Sequence, residues 1–76
     1  MTDQEISARL LAAMSDRAPE AELASVTIDM LKPGAIASVE ATPIRRTRTL
    51  LFMSTEAFNA AGERIASANA VYKLRA

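Results

Sequence analysis

The sequence predicts an α+β fold in which one N-terminal helix is wrapped by a four-stranded antiparallel sheet. Residues 3–17 repeat apolar side chains at helical spacing, whereas four later segments alternate apolar and polar side chains as strands do. Short links join the last three segments, and short links favour antiparallel neighbours. A chain of 76 residues builds only one core, so we expect a single domain over residues 1–76.

The helix is predicted to run from residue 3 to about residue 17. Its apolar residues recur at i, i+4, i+7 and i+8 and therefore share one face: Ile6, Leu10, Ala13 and Met14. Thr2 and Glu5 have the T-x-x-E spacing of a capping box, which satisfies two amide groups at the helix start. Pro19 ends the pattern because proline is not accommodated inside a helix.

Four strands are predicted after the helix, at about Leu23–Leu31, Ile36–Arg45, Thr49–Phe58 and Arg64–Leu74. Pro43 lies in the second strand, and because proline donates no hydrogen bond to a neighbouring strand, we expect this strand at a sheet edge or a bulge. The third strand carries apolar residues on both faces, which indicates a central position. Gly62 suits a hairpin turn before the fourth strand.

The core that this pattern implies is thin. Sixteen of the 76 residues are alanine and only three are aromatic, so each buried residue removes little apolar area from water. The sequence contains no cysteine and no histidine, which excludes disulfides and the usual zinc ligands, and we expect no metal. We therefore expect a homodimer or a larger homo-oligomer, in which self-association supplies the missing stability.

Charge is balanced overall but divided along the chain. Residues 1–31 carry two basic and six acidic side chains, a net charge of −4, and residues 32–76 carry seven and three, a net charge of +4. The halves either form a solvated surface or attract each other across an interface, or the second half holds an anion site. A neutral domain disfavours nucleic acid as a partner. No apolar run is long enough to span a membrane and no signal peptide is visible, so we expect a cytoplasmic protein without a membrane partner.

Three segments occur in the order and spacing of a known family. Met30–Pro33, with sequence MLKP, matches a strand end of pattern (F/Y/L)-L-(R/K)-P. Arg45–Arg48, with sequence RRTR, matches an R-x-G-R corner, and Ala61–Ala66, with sequence AGERIA, matches a D-G-(R/K)-x-(V/I)-A hairpin. Together with the helix, residues 24–74 resemble the second half of hotdog-fold acyl-CoA thioesterases.

The resemblance implies a hotdog-like fold with the sheet in the order second, third, fourth and first strand. It also implies that the first strand pairs with its counterpart in a second subunit, which extends the sheet across a dimer. The implied ligand is an acyl-CoA or related thioester, with coenzyme A as part of the substrate and no separate cofactor. The family normally has one further strand before the helix, so the chain resembles a short, truncated form that begins at the central helix.

Other positions depart from the family pattern. An H-G-G segment normally leads into the helix, and residues 3–5 stand there instead. Ala12 stands near the position of the catalytic carboxylate of several subfamilies, and Thr47 replaces the glycine of the corner. The sequence therefore resembles the family's scaffold more closely than its active site.

Thioester hydrolysis needs a carboxylate or an activated water, and a donor for the developing oxyanion. Glu5 and Asp16 share the helix face of Ala12 and are the predicted catalytic carboxylates. A backbone amide at the helix start, near Gln4 or Glu5, is the predicted oxyanion donor. The alternative is that Glu5 only caps the helix and that Asp16 is a solvated charge.

The phosphates of coenzyme A are polyanionic, and arginine binds phosphate with two parallel hydrogen bonds. The resemblance places the nucleotide end of coenzyme A near the corner and near the end of the first strand. The predicted coenzyme A-binding residues are therefore Lys32, Arg46, Thr47 and Arg48. The alternative is an exposed hairpin that charge keeps soluble.

Three functions remain open from the sequence. The first is an acyl-CoA thioesterase that works as a dimer or a larger oligomer. The second is a catalytically silent module that binds an acyl-CoA or another acyl carrier. The third is a structural oligomerisation module that lacks the usual active-site carboxylate, resembling the back half of a hotdog protein that is stable only by self-association or with another chain that supplies the missing strand.

Overall fold

The computed structural model of the chain describes residues 1–74. Helix α1 (Asp3–Arg17) is followed by four strands: β1 (Glu22–Met30), β2 (Ser38–Arg46), β3 (Leu50–Phe58) and β4 (Arg64–Lys73). The strands form one antiparallel sheet in the order β1-β4-β3-β2. The predicted α+β class and the predicted strand order are both confirmed.

The helix begins with the predicted capping box. The amide of Glu5 donates to Oγ1 of Thr2 at 3.2 Å, and the amide of Thr2 donates to Oε1 of Glu5 at 3.2 Å. At the other end the amide of Ala18 donates to the carbonyl of Ser15, and Pro19 follows. Both helix ends are therefore determined by residues within a few positions of them.

The helix packs on one face of the sheet, which we call the inner face. Large buried side chains come from the helix, namely Ile6, Leu10 and Met14. The sheet supplies Leu51, Met53 and Tyr72 together with small residues that let the helix approach closely: Thr55, Ala57, Ala66, Ala68 and Ala70. The strand residues pair across β3 and β4 in register, so the alanines predicted for one face of β4 do lie in the core.

Strand β2 is a sheet edge, as Pro43 predicted. The register between β2 and β3 shifts between Pro43 and Arg45, so Ile44 bulges outward and remains 61% exposed. The hydroxyl of buried Thr55 donates to the carbonyl of Glu40 at 2.7 Å, which satisfies the one buried polar side chain of the inner face of β3. Strand β3 lies between β2 and β4, as its apolar residues on both faces predicted.

Strand β1 is the opposite edge and has much less cover. Of its nine residues, only Val26 and Ile28 are half-buried, and the rest are exposed. Leu23 and Met30 pair with buried residues of β4 and lie on the inner face, yet they remain 46% and 40% exposed. This edge therefore presents apolar side chains and unpaired backbone groups together.

The β3–β4 hairpin closes through Asn59, whose side-chain oxygen accepts from the amides of Ala61 and Glu63 at 3.0 and 2.9 Å. Gly62 follows with a φ of +82°, in the left-handed region that favours glycine. The hairpin turn predicted at Gly62 is present.

Tyr72 supplies a test of the packing. Its hydroxyl is buried and has no hydrogen-bond partner among the described residues. A buried polar group without a partner costs stability, so we expect Tyr72→Phe to raise the free energy of unfolding by about 1 kcal/mol. Urea denaturation followed by circular dichroism measures the change. A clear loss of stability in the variant would instead show that the hydroxyl finds a partner in the assembled protein.

Candidate functional site

The two ends of the sheet carry different groups. At one end lie the β2–β3 turn, the C-terminal end of α1 and the start of β1. At the other end lie the start of α1, residues 30–34 and the β3–β4 hairpin. A nine-residue strand spans about 30 Å, so groups at opposite ends of one chain do not meet.

The arginine corner, residues 45–48, lies at the first end. Arg46 pairs with Leu51 and is therefore on the inner face, whereas Arg45 pairs with Phe52 and is on the outer face. Arg46 lines a cleft of about 710 Å³, which we call the corner cleft. The other residues that line it are Arg17, Ala18, Pro19, Glu20, Ala21, Glu22, Leu51 and Leu74.

Thr47 closes the β2–β3 turn. Its amide donates to the carbonyl of Leu50 at 2.8 Å, and its Oγ1 accepts from the amide of Leu50 at 3.0 Å. Among the described residues only Gly34 and Gly62 have a positive backbone φ. Thr47 therefore forms this turn without the left-handed conformation that would favour glycine. Arg48 follows in the turn and is exposed.

Lys32 lies at the opposite end of the sheet. Its amide donates to the carbonyl of Ile65, and its Nζ contacts Oε2 of Glu63 at 2.7 Å. The structure therefore brings Arg46, Thr47 and Arg48 together but separates Lys32 from them within one chain. Both partners of the ion pair are about half exposed, so the pair contributes little to stability.

The two predicted catalytic carboxylates are both exposed and lie far apart. Glu5 and Asp16 are eleven positions apart in the helix, which corresponds to a rise of about 16 Å. The backbone amide and the hydroxyl of Thr2 both donate to Glu5, and these hydrogen bonds lower the pKa of the Glu5 carboxyl from its ordinary value of 4.5. A carboxylate with a lowered pKa is a weak base, and this favours the capping role that the sequence left open. Asp16 lines a shallow cleft beside residues 39–42.

Arg17 was not singled out from the sequence. It lines the corner cleft with Arg46, and its Nη1 donates to the carbonyl of Ala41 at 3.1 Å. A hydrogen bond across 24 positions of sequence cannot be read from local spacing. The only local feature that pointed to Arg17 is its position as a basic residue in the last helical turn. A favourable interaction with the helix dipole explains that position equally well.

Within residues 1–74, no group of three or more acidic side chains is placed to hold a metal ion. The single helix described in this part of the chain is not long and apolar enough to cross a membrane.

No family model and no curated protein matches this sequence. Solved structures do match. A Bacillus halodurans protein solved with CoA has a TM-score of 0.80 and 18% identity, over 96% of this chain and 55% of its own. A tesB protein of Mycobacterium avium subsp. paratuberculosis has a TM-score of 0.86 and 24% identity, over all of this chain and 32% of its own. A protein described as belonging to the thioesterase superfamily has a TM-score of 0.74 and 19% identity, over 97% of this chain and 62% of its own.

The chain therefore has the fold of thioesterase-superfamily hotdog proteins, and the hotdog-like fold that the sequence predicted is confirmed. It spans between about a third and three fifths of the length of these structures. At identities of 18–24% the likeness concerns the fold.

The lowered pKa of Glu5 makes a pH-dependent prediction. A carboxyl whose pKa is lowered in the folded state stabilises the fold above its ordinary pKa, and this stabilisation is lost as the pH falls through the lowered value. A glutamine side chain at this position keeps an acceptor for Thr2 but cannot ionise. We therefore expect Glu5→Gln to have a lower Tm than the wild type at pH 7, and the gap between the two Tm values to be smaller at pH 3, where more of the carboxyl is protonated. An equal gap at both pH values would contradict a stabilising role for the charge.

Proposed function

We propose that the protein is a thioesterase-like hotdog module that binds an acyl-CoA thioester at the seam between two copies of the chain and hydrolyses it. The arginine-lined corner cleft carries the proposal, because it offers guanidinium groups to a polyphosphate in a fold that a CoA-bound structure shares. The need for a second copy is argued from β1, and the chemistry from the helix start.

Strand β1 supports self-association. It is an edge strand of nine residues with apolar side chains on its inner face, and it contains no proline or lysine that would block pairing. Pairing with β1 of a second copy would satisfy its free backbone groups and continue the sheet. Such a pair is isologous, with the same surface used by both copies.

A two-fold axis between two β1 strands exchanges the ends of the sheet. The arginine corner of one copy and Lys32 of the partner subunit would then lie at the same end of the joined sheet. All four residues predicted to bind coenzyme A would thus lie at one end of the joined sheet, although Lys32 is distant from the others within a chain. The start of α1 lies at the same end as Lys32.

The helix start offers an oxyanion donor. The capping box provides partners for the amides of Thr2 and Glu5. The amides of Asp3 and Gln4 lie in the first helical turn and have no acceptor within the helix. The positive end of the helix dipole adds to their effect. In this proposal a thioester carbonyl lies against these amides while its phosphates bind at the arginine corner of the partner. Glu5 of the same copy, or Asp16 of the partner subunit, then takes a proton from the attacking water. The water oxygen bonds to the acyl carbon, the carbon–sulfur bond breaks, and the thiolate leaves and takes up the proton.

A second candidate is a module that binds the thioester without turnover. The engagement of Glu5 with Thr2 and the absence of a carboxylate at Ala12 favour it. The two candidates share the fold, the seam and the phosphate site, and they differ only in whether a base is present.

Thiol release from a panel of acyl-CoA esters separates the two candidates. The protein has no cysteine, so every thiol detected comes from the substrate. For an enzyme, release saturates with substrate, and one of Glu5→Gln and Asp16→Asn lowers kcat at least about tenfold while the other serves as its matched control. No release from a folded protein that binds CoA in calorimetry identifies the silent module, and absence of both release and CoA binding contradicts the proposed function.

The seam has its own test. Met30 lies on the inner face of β1 and is 40% exposed, whereas Ile44 lies on the opposite sheet edge and is 61% exposed. We expect Met30→Asp to weaken self-association at least about tenfold, because a charge must then be buried in the seam. Ile44→Asp introduces the same charge at the other edge and should leave self-association unchanged. Light scattering over a dilution series measures both, and equal behaviour of the two variants would contradict pairing through β1.

A further inference from the structure

We infer that the outer face of the sheet, the side opposite α1, is an interface that binds the outer face of a second copy of this chain. The residues of β3 that alternate with its buried core residues lie on this face and are half-buried. This interface involves neither the corner cleft nor a thioester. Only the expected size of the assembly depends on the β1 seam of the proposed function.

One end of the outer face, beside the β3–β4 hairpin, is acidic. Glu40 lies directly opposite Glu56 in the register of β2 and β3, and Asp29 lies on β1 in the same row. Arg64 donates to Glu56 at 2.9 Å, whereas neither Glu40 nor Asp29 belongs to an ion pair within residues 1–74. Three carboxylates and one guanidinium give this end a net charge of −2. Like charges directly opposite on neighbouring strands are unfavourable, so a basic partner would stabilise this end.

The other end, beside the arginine corner, is basic. Arg45 on β2 and Lys73 on β4 lie on the outer face there, and neither belongs to an ion pair within the described part of the chain. Glu22 lies opposite Lys73 in register and already has an interaction of its own. With Glu22 included, these strand residues carry a net charge of +1, and exposed Arg48 in the adjoining turn adds another positive charge. Charge therefore changes sign along the strands of this face.

Between its charged ends the outer face is uncharged. Phe52 and Val71 are half-buried and pair with each other in register. Beside them a row of short polar side chains, which we call the polar row, crosses all four strands: Thr27, Asn69, Ser54 and Thr42. Hydroxyl and amide groups both donate and accept hydrogen bonds, so the polar row is complementary to the same row of a second copy. Phe52 and Val71 add apolar area that pairing would remove from water.

The change of charge along the strands selects how two copies meet. A two-fold axis between the faces and perpendicular to the strands puts the acidic end of each copy on the basic end of the other, whereas an axis parallel to the strands puts like charges together. Arg45 and Glu40 lie on β2, one row to either side of the polar row, so the first axis brings Arg45 to Glu40 of the partner subunit. Facing sheets lie about 10 Å apart, a gap that an arginine and a glutamate side chain bridge together.

The area of the outer face determines the size of the assembly. Four strands about 4.8 Å apart, with nine residues at about 3.3 Å each, give a footprint of about 570 Å² per copy. A standard interface takes about 800 Å² per partner, so the face of one copy alone is small. Two copies joined at β1 would present twice this footprint on one continuous sheet, and two such sheets paired through their outer faces form a closed, symmetric tetramer. We therefore expect a tetramer that assembles from β1-joined dimers.

Sedimentation velocity of the full chain over a dilution series tests the interface. We expect a tetramer–dimer equilibrium whose Kd rises at least about tenfold in Arg45→Glu and in Glu40→Arg, because each change puts like charges together. The variant with both changes restores opposite charges, so its Kd should return to within about threefold of the wild type. Arg9→Glu is the matched control, since it reverses the same charge at an exposed position of α1 and should leave the Kd unchanged.

Glu40→Arg also separates loss of the interface from loss of folding. It replaces the repulsion between Glu40 and Glu56 by attraction, so its Tm should not fall. Equal Kd values for Arg45→Glu and Arg9→Glu, or a double variant no better than the single variants, overturn the interface. A wild type that forms nothing larger than a dimer also overturns it, because the β1 seam then accounts for the whole assembly. Thiol release and CoA binding judge the proposed function separately, and a negative result in both leaves the outer-face interface standing.

Discussion

The packing of α1 on the inner face of the sheet is the contact on which the rest of the structure depends. Leu10 and Met14 are fully buried there, against a sheet face that combines large side chains with small ones. Large side chains of the helix and a mixture of large and small side chains of the sheet fill the space between the two layers. Without the helix, this face of the sheet would have no core partner, and a sheet with one bare apolar face is not stable in water.

The helix does not lie over the middle of the sheet, and its off-centre position creates the exposed β1 edge and the corner cleft. Because α1 lies towards β2 and β3, the inner face of β1 keeps only partial cover. Because the C-terminal end of α1 meets the β2 edge through Arg17 and the carbonyl of Ala41, the corner cleft opens between the helix end and Arg46. One placement of a helix thus exposes an apolar edge and gathers two arginines.

The local features of the fold were predictable because each is encoded within a few residues. The capping box of Thr2 and Glu5, the helix end before Pro19 and the turn at Gly62 all rest on side chains and backbone groups near in sequence. Pro43 predicted a sheet edge for a similar reason, since its missing amide excludes a central position whatever the neighbours are. The strand order followed from the resemblance to hotdog proteins and not from alternation, which does not specify partners.

The candidate site was less predictable. The sequence predicted one continuous binding segment, made of Arg46, Thr47 and Arg48. In the structure these three residues have different surroundings. Arg46 lines a cleft, Thr47 closes the turn, and Arg48 is exposed. A twist or a bulge decides which of two adjacent arginines faces inward, and here the bulge at Ile44 sets the faces of Arg45 and Arg46.

The sequence by itself determined the class of fold, the extent of the helix and the edge position of β2, because periodicity, caps and proline act over short distances. Only the tertiary structure decided that Lys32 and the arginine corner lie at opposite ends of the sheet within one chain, and that Arg17 lines the same cleft as Arg46. These facts depend on strand register and on where the helix packs. Both are set by contacts between residues distant in sequence, which no local pattern records.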